Sequence, residues 1–386
     1  MELKINVEDL NTEGLGPDEV EETPFSRHEP DLDEIEERME QHSYEDLVVI
    51  GNGGSITSFR AYLYAFIDQT DVEVHLVNTQ DPDYLHRVER ETDPEDTLVM
   101  PVSKSGETSS VIDAVLYFIE RDYPMMAVTS DNDGALNQIL EKRGHGFIEH
   151  PDVGGRFSGA TETALVPAAF AGLDHREIRR GAENAYREYS EGGNPALEVA
   201  NALKDAEEKG YREVLAPFYS TRMFGYYPLL VQLMHETVCK QGEGQTVYGD
   251  LGPEYQHHTN QRLFGGRQDV VPLFFRTRSH EHEEIQVPED LSDVSLRDRA
   301  LGEMDGMSME HALDSEYRGV KSALDEEAVP NVTVTLESLD YASAGELLVF
   351  LQHLAVYSAR LRDVDPYTQP DVEKSKAKGF SQRFDR

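Results

Sequence analysis

From residue 44 onward the chain alternates short apolar runs with stretches of helical periodicity. The runs DLVVIGN, VEVHLVN, TLVMPVS, PMMAVTS and HGFIEHP are each too short for a helix and are each followed by a helical segment. That alternation is the signature of parallel strands joined by crossover helices, and it predicts one open α/β sheet over 44–190. After helical segments at 175–191 and 195–209 the pattern recurs as EVLAPFYS, a helix, QTVYGD, DVVPLFF, a charged helix-and-loop region over 278–327, and NVTVTLES. A second sheet over 191–363 is predicted, with the boundary near 190 inside SEGGNP. The fold class is therefore α/β, with two open, mainly parallel sheets flanked by helices. An amphipathic helix over 344–364 seals the core. Residues 1–43, punctuated by Pro17, Pro24 and Pro30, read as a loose acidic arm with a short surface helix over 31–41. In the tail, 364–386, Pro366 and Pro370 are expected to stop regular structure before a turn presenting Lys374, Lys376 and Lys378.

Charge narrows the setting. The 75 acidic residues against 35 basic give a formal charge of −40, spread along the 386 residues. Such a chain repels itself at low salt and repels nucleic-acid phosphates, so a halophilic cytoplasm is expected and a nucleic-acid partner is not. The single cysteine, Cys239, excludes an intrachain disulfide and a thiolate zinc cluster. The first sixteen residues hold no secretory apolar stretch and no apolar run approaches eighteen residues, so a cytoplasmic protein without a membrane segment is expected. HEHEE at 280–284 lacks a third ligand motif and reads as solvated charge, giving no metal site.

Candidate chemistry gathers at strand ends. The first run leads into GNGGSITS (51–58), where Gly53 and Gly54 let the backbone bend and Ser55 opens a helix. The third leads into SKSGETSS (103–110), where Ser103, Lys104, Ser105, Gly106 and Thr108 crowd another helix start. Serine, threonine and glycine open helices everywhere; two such loops at neighbouring strand ends of one sheet point to a compact phosphate. GGRFS then places Arg156 after Gly154 and Gly155 as a fixed cation at the sheet edge. In 221–241, apolar Met223, Tyr227, Leu230, Val231 and Met234 put Gln232 and Glu236 on neighbouring turns of one helix face. Such a carboxylate near a helix end is ordinarily solvated, and only its setting makes it a base. Some twenty residues on, GDLGPEYQHH offers His257 and His258 as acid–base groups near neutrality.

Taken in order, these stretches resemble the glucose-6-phosphate isomerase family, built on sugar-isomerase (SIS) domains, over residues 44–380. The resemblance implies two SIS-type domains, and reversible conversion of glucose 6-phosphate and fructose 6-phosphate through a cis-enediolate without metal or redox cofactor. It implies phosphate binding by Gly54, Ser55 and Ser103–Thr108, a catalytic arginine at Arg156, and a Gln-x-x-x-Glu pair at Gln232 and Glu236 in which Glu236 is the base. It also implies ring opening by His257, assisted by Lys376 of QPDVEKSK, and a homodimer whose histidine crosses the subunit boundary. His258 stays open as the alternative histidine. Glu107 departs from the hydroxyl-rich family loop, and a carboxylate there disfavours phosphate unless it points to solvent. Two other functions stay in view: a bifunctional glucose/mannose 6-phosphate isomerase, and a SIS-type sugar-phosphate sensor without turnover.

Overall fold

The computed structural model describes residues 3–14, 23–190 and 194–385. The expected boundary inside SEGGNP and Pro17 of the acidic arm thus lie at least partly outside the described residues. Two sheets organise the chain. In the first, β2 (Asp46–Ile50) lies between β3 (Glu73–Val77) and β4 (Thr97–Pro101), all parallel. Two isolated parallel bridges, Val99 to Met125 and Val102 to Val128, carry the sheet on to β5 (Met126–Thr129), which pairs with β6 (Gly146–Glu149). The order is β3-β2-β4-β5-β6. β4 is buried on both faces, which is why its run is continuously apolar. The connecting helices are α2 (Thr57–Ala65), α3 (Pro82–Glu91), α4 (Ser109–Ile119) and α5 (Ala135–Arg143), following the surface helix α1 (Leu32–Met39).

The chain leaves β6 through the Gly155–Phe157 turn into α6 (Glu162–Phe170), α7 (His175–Ser190) and α8 (Pro195–Glu208). The second sheet then forms from β7 (Glu213–Tyr219), β8 (Thr246–Leu251), β9 (Val270–Thr277) and, beyond a small hairpin of β10 (Ser295–Leu296) and β11 (Arg299–Ala300), β12 (Asn331–Leu336). Its helices are α9 (Thr221–Phe224), α10 (Tyr227–Val238), α11 (Thr259–Gly265), α12 (Met309–Glu326) and α13 (Tyr341–Arg360). With β1 (Lys4–Glu8) at one edge, the sheet order is β1-β12-β9-β7-β8. α13 is the buried spine: it packs on α7, α8 and α10, and its apolar side chains belong to one core cluster that also holds Leu47 of β2 and Val334 of β12. A mixed α/β fold of mainly parallel sheets, the expected class, is what the chain adopts.

Two expectations need correction. The acidic arm is not all loose: β1 is an antiparallel edge strand on β12, with Ile5 opposite Val334 and Val7 opposite Val332. Pro370 does not end structure but begins it, opening α14 (Pro370–Gln382), which carries all three tail lysines. Proline is tolerated in a first turn because the N–H it lacks has no intrahelical partner there. Among the described residues no helix is long and apolar enough to cross a membrane.

Candidate active site

The first sheet reverses its direction of growth at β2, and the loops after β2 and β4 flank that switch point at the strands' carboxyl ends, where open α/β sheets form a crevice. A cavity of about 630 Å³ lies there, lined by Ser55, Ser103, Lys104, Ser105, Thr108 and, from α14, Lys376. Ser103 Oγ donates to Thr108 Oγ1 at 3.3 Å, and Ser105 Oγ accepts from the Glu107 amide at 3.2 Å. Gly106 holds φ +64°, a left-handed turn that brings its carbonyl to the Leu136 amide. Glu107 is directed away: its Oε1 accepts from the Ala135 amide at 2.8 Å, completing the first turn of α5. Lys104 is not free for an anion, because Nζ meets Asp152 Oδ1 at 2.7 Å and holds that carboxyl below the usual aspartate range.

Gly54 is the hinge between this loop and the arginine. The Gly53–Ser55 turn lies against the Gly155–Phe157 turn so closely that a Cβ on Gly54 would stand 2.6 Å from the Gly155 carbonyl oxygen. Gly154, by contrast, has only a Phe157 ring atom nearby. The contact aims Arg156 inward, where its side chain is 3% exposed. Arg156 Nε donates to Thr237 Oγ1 at 2.9 Å and Nη1 to Gln369 Oε1 at 2.7 Å and Glu236 Oε2 at 3.5 Å. Nη2 donates to the carbonyls of Pro366, at 2.6 Å, and Thr368, at 3.3 Å. Burial pushes its pKa down, opposed by the charges of Glu236 and Asp365.

On α10, Gln232 and Glu236 meet as their four-residue spacing requires, with Gln232 Nε2 donating to Glu236 Oε1 at 3.1 Å. Thr57 Oγ1 donates to Gln232 Oε1 at 2.9 Å, which orients the amide toward the carboxylate. Glu236 therefore has an amide donor on one oxygen and a guanidinium on the other, and with Gly53, Thr57 and Gln232 it lines a second cavity of about 480 Å³. Lys240, buried at the end of that segment, donates to the Asp365 carbonyl, and burial together with the Arg156 charge pushes its pKa down.

The histidines lie apart. His257 closes the short Glu254–His257 helical turn and is exposed, and it lines neither cavity. Its neighbour Gln256 donates to Tyr219 Oη at 2.8 Å, while His258 faces Thr259 Oγ1 at 2.7 Å and Asp250 at 3.6 Å. Lys376 Nζ pairs with Glu373 at 2.9 Å on the rim of the larger cavity. The structure thus brings together the hydroxyl loops, Arg156, Gln232, Glu236 and Lys376, and leaves His257 outside. Sequence reasoning missed Thr237, Thr57 and the strap 365–369. Gln369 was within reach, since it opens the QPDVEKSK motif; the strap's carbonyls, as backbone, carry no side-chain signal.

No protein-family profile matches the chain. Among curated proteins, the glucose-6-phosphate isomerase of Rubrobacter xylanophilus is 30% identical over 366 residues, covering 89% of this chain and 83% of its own. A hypothetical protein from Thermus thermophilus superposes with a TM-score of 0.83 at 26% identity, over 92% of this chain and 87% of that one. A glucose-6-phosphate isomerase from Chlamydia trachomatis shares the fold, with a TM-score of 0.73 at 22% identity over 90% of this chain and 72% of that one.

Proposed function

The chain belongs to the glucose-6-phosphate isomerase family, and from that premise we propose that it interconverts glucose 6-phosphate and fructose 6-phosphate by proton transfer between carbon 2 and carbon 1. The observation that carries the reading is Glu236 held between the Gln232 amide and the Arg156 guanidinium, in a cavity whose Gly53 and Thr57 belong to the same segment that sends Ser55 into the larger cavity. The phosphate end belongs in the larger cavity, on Ser55 and the Ser103–Thr108 loop. Glu236, held by two donors, takes the carbon 2 proton and returns it to carbon 1. Negative charge then develops on the enediolate oxygens. Arg156 stabilises it as a permanent cation that needs no reorganisation at that moment. His257, assisted by Lys376, opens the ring by moving protons at the ring and carbon 1 oxygens.

An exposed His257 outside both cavities fits a homodimer in which each subunit supplies the histidine to its partner's site. The same reading takes residues 44–190 and 191–363 as two SIS-type domains and sets the enzyme in a halophilic cytoplasm, where molar salt screens the −40 charge.

The test is conversion of fructose 6-phosphate to glucose 6-phosphate by the full chain in molar potassium chloride, with mannose 6-phosphate as a second substrate. Turnover of the fructose ester alone is expected. Comparable turnover of the mannose ester would make the enzyme bifunctional, and tight binding of both without turnover would make it a sensor.

A further inference from the structure

The second sheet has a switch point of its own. Its parallel strands run β8-β7-β9-β12, so the chain passes from β8 on one side of β7 to β9 on the other, as it passes from β3 to β4 about β2 in the first sheet. The first sheet's crevice holds the hydroxyl loops described above. In the second, Tyr219 and Arg276 are cross-strand neighbours at the carboxyl ends of β7 and β9, the place where such sheets bind ligands. With Thr277, His280, Glu310, Leu313, Asp314 and Tyr317 they line a narrow recess. It shares Arg276, Glu310, Asp314 and Tyr317 with a cleft of about 690 Å³ running between the sheet and α12.

Charge in this cleft runs against the chain's. Arg276, Arg278 and Arg318 line it with Glu310 and Asp314, in a chain with 75 acidic residues to 35 basic, and Glu337 stands 3.9 Å from Arg278 Nε. Asp314 occupies one edge of Arg276, through Nη1 at 2.6 Å, and also takes Arg318 Nε at 2.8 Å. The opposite edge is unused: Arg276 Nε is buried with no hydrogen-bond partner among the described residues. The guanidinium lies over the Tyr317 ring, 4.6 Å from its centroid, which fixes the direction of that free edge. A buried N–H without an acceptor is costly, and guanidinium edges match phosphoryl oxygens. Beside it, Thr277 Oγ1 and His280 Nε2 lie 3.1 Å apart.

We propose that this crevice is a second ligand site, taking a small phosphorylated anion on the Nε edge of Arg276 with Thr277 and His280 alongside. The site borders the segment that carries His257. Tyr219, which lines it, accepts the Gln256 hydrogen bond, and Gln256 also reaches the Glu316 carbonyl of α12 at 3.4 Å.

Equilibrium dialysis of the full chain against labelled inorganic phosphate tests the proposal. Thr108→Ala, in the first sheet's loop, separates the two crevices: a site that survives this substitution is expected. Arg276→Lys keeps a cation facing Asp314 but has no Nε edge, and should weaken that surviving site at least tenfold. Thr277→Val, which changes no charge, should weaken the same site and guards against misfolding of the lysine variant. Phosphate binding that is unchanged by both Arg276→Lys and Thr277→Val overturns the proposal, whether or not the chain turns over sugar phosphates.

Discussion

GGRFS and GNGGS each present a pair of adjacent glycines, yet the structure assigns them very different tolerances. A Cβ on Gly54 would fall 2.6 Å from the Gly155 carbonyl oxygen and closer still to the Gly155 carbonyl carbon and the Arg156 nitrogen. These are backbone atoms and cannot swing aside, so Gly54→Ala must part the two turns by roughly 1 Å to reach ordinary contact. Overpacking of this kind costs about 1–3 kcal/mol. Because the displaced turn carries Arg156, the shift should also cost activity, on the order of a hundredfold for a 1 Å misplacement. Gly155→Ala is the control: its Cβ would lie 3.7 Å from Gly54 Cα, with nothing nearer, and should change stability by less than about 0.5 kcal/mol. Chemical denaturation of both variants, with fructose 6-phosphate turnover alongside, reads both effects. A Gly54→Ala protein as stable and active as wild type, or a Gly155→Ala protein that is the worse of the two, would refute the reasoning.

Three further outcomes follow from buried or capping polar groups. His353 is enclosed by Phe25, Tyr186, Tyr189 and Tyr357, and burial pushes its pKa down to about 4. The unfolded chain binds this proton near pH 6.5 and the folded chain does not, so the contribution is intact above about 6.5 and is lost as pH falls toward 4, reaching about 3 kcal/mol. Denaturation midpoints between pH 7 and 4.5 should fall less steeply in His353→Phe than in wild type; equal slopes would contradict the assignment. Glu107→Ala should lower stability by about 1 kcal/mol through loss of its bond to the Ala135 amide and leave KM for fructose 6-phosphate unchanged. A tenfold fall in KM would instead place that carboxylate against the phosphate. Gln352→Leu removes the partner of both the Phe157 carbonyl and the Tyr186 hydroxyl, each at 2.9 Å, and should cost about 2 kcal/mol by thermal or chemical denaturation.

How much of this was legible beforehand depends on which force sets each feature. The central strands of both sheets announced themselves because burial on two faces demands continuous apolar runs such as LVVI at 47–50. Gln232 and Glu236 were legible as a pair because helical spacing alone makes them meet. β1 was not: five residues with two apolar positions, inside an acidic arm, become a strand only because β12 offers an unpaired edge. α14 was hidden by Pro370, whose meaning reverses between a helix interior and a first turn. Glu107 looked hostile to phosphate because its type was visible and its direction was not. The strap over Arg156 was invisible for a different reason, since Pro366 and Thr368 act there through carbonyls that every residue possesses. The distance between His257 and Glu236 is likewise a property of the folded chain and not of the twenty residues between them.

The most direct measurement is steady-state turnover of fructose 6-phosphate by Glu236→Gln, read together with deuterium incorporation from solvent at carbon 2 of the product glucose 6-phosphate. The glutamine keeps the shape that meets Gln232 but cannot accept the proton. Loss of a general base should lower kcat by about 10²–10⁴ with KM little changed, and exchange should fall in step. A Glu236→Gln enzyme that retains kcat within tenfold of wild type and still exchanges the proton would show that the base is another group.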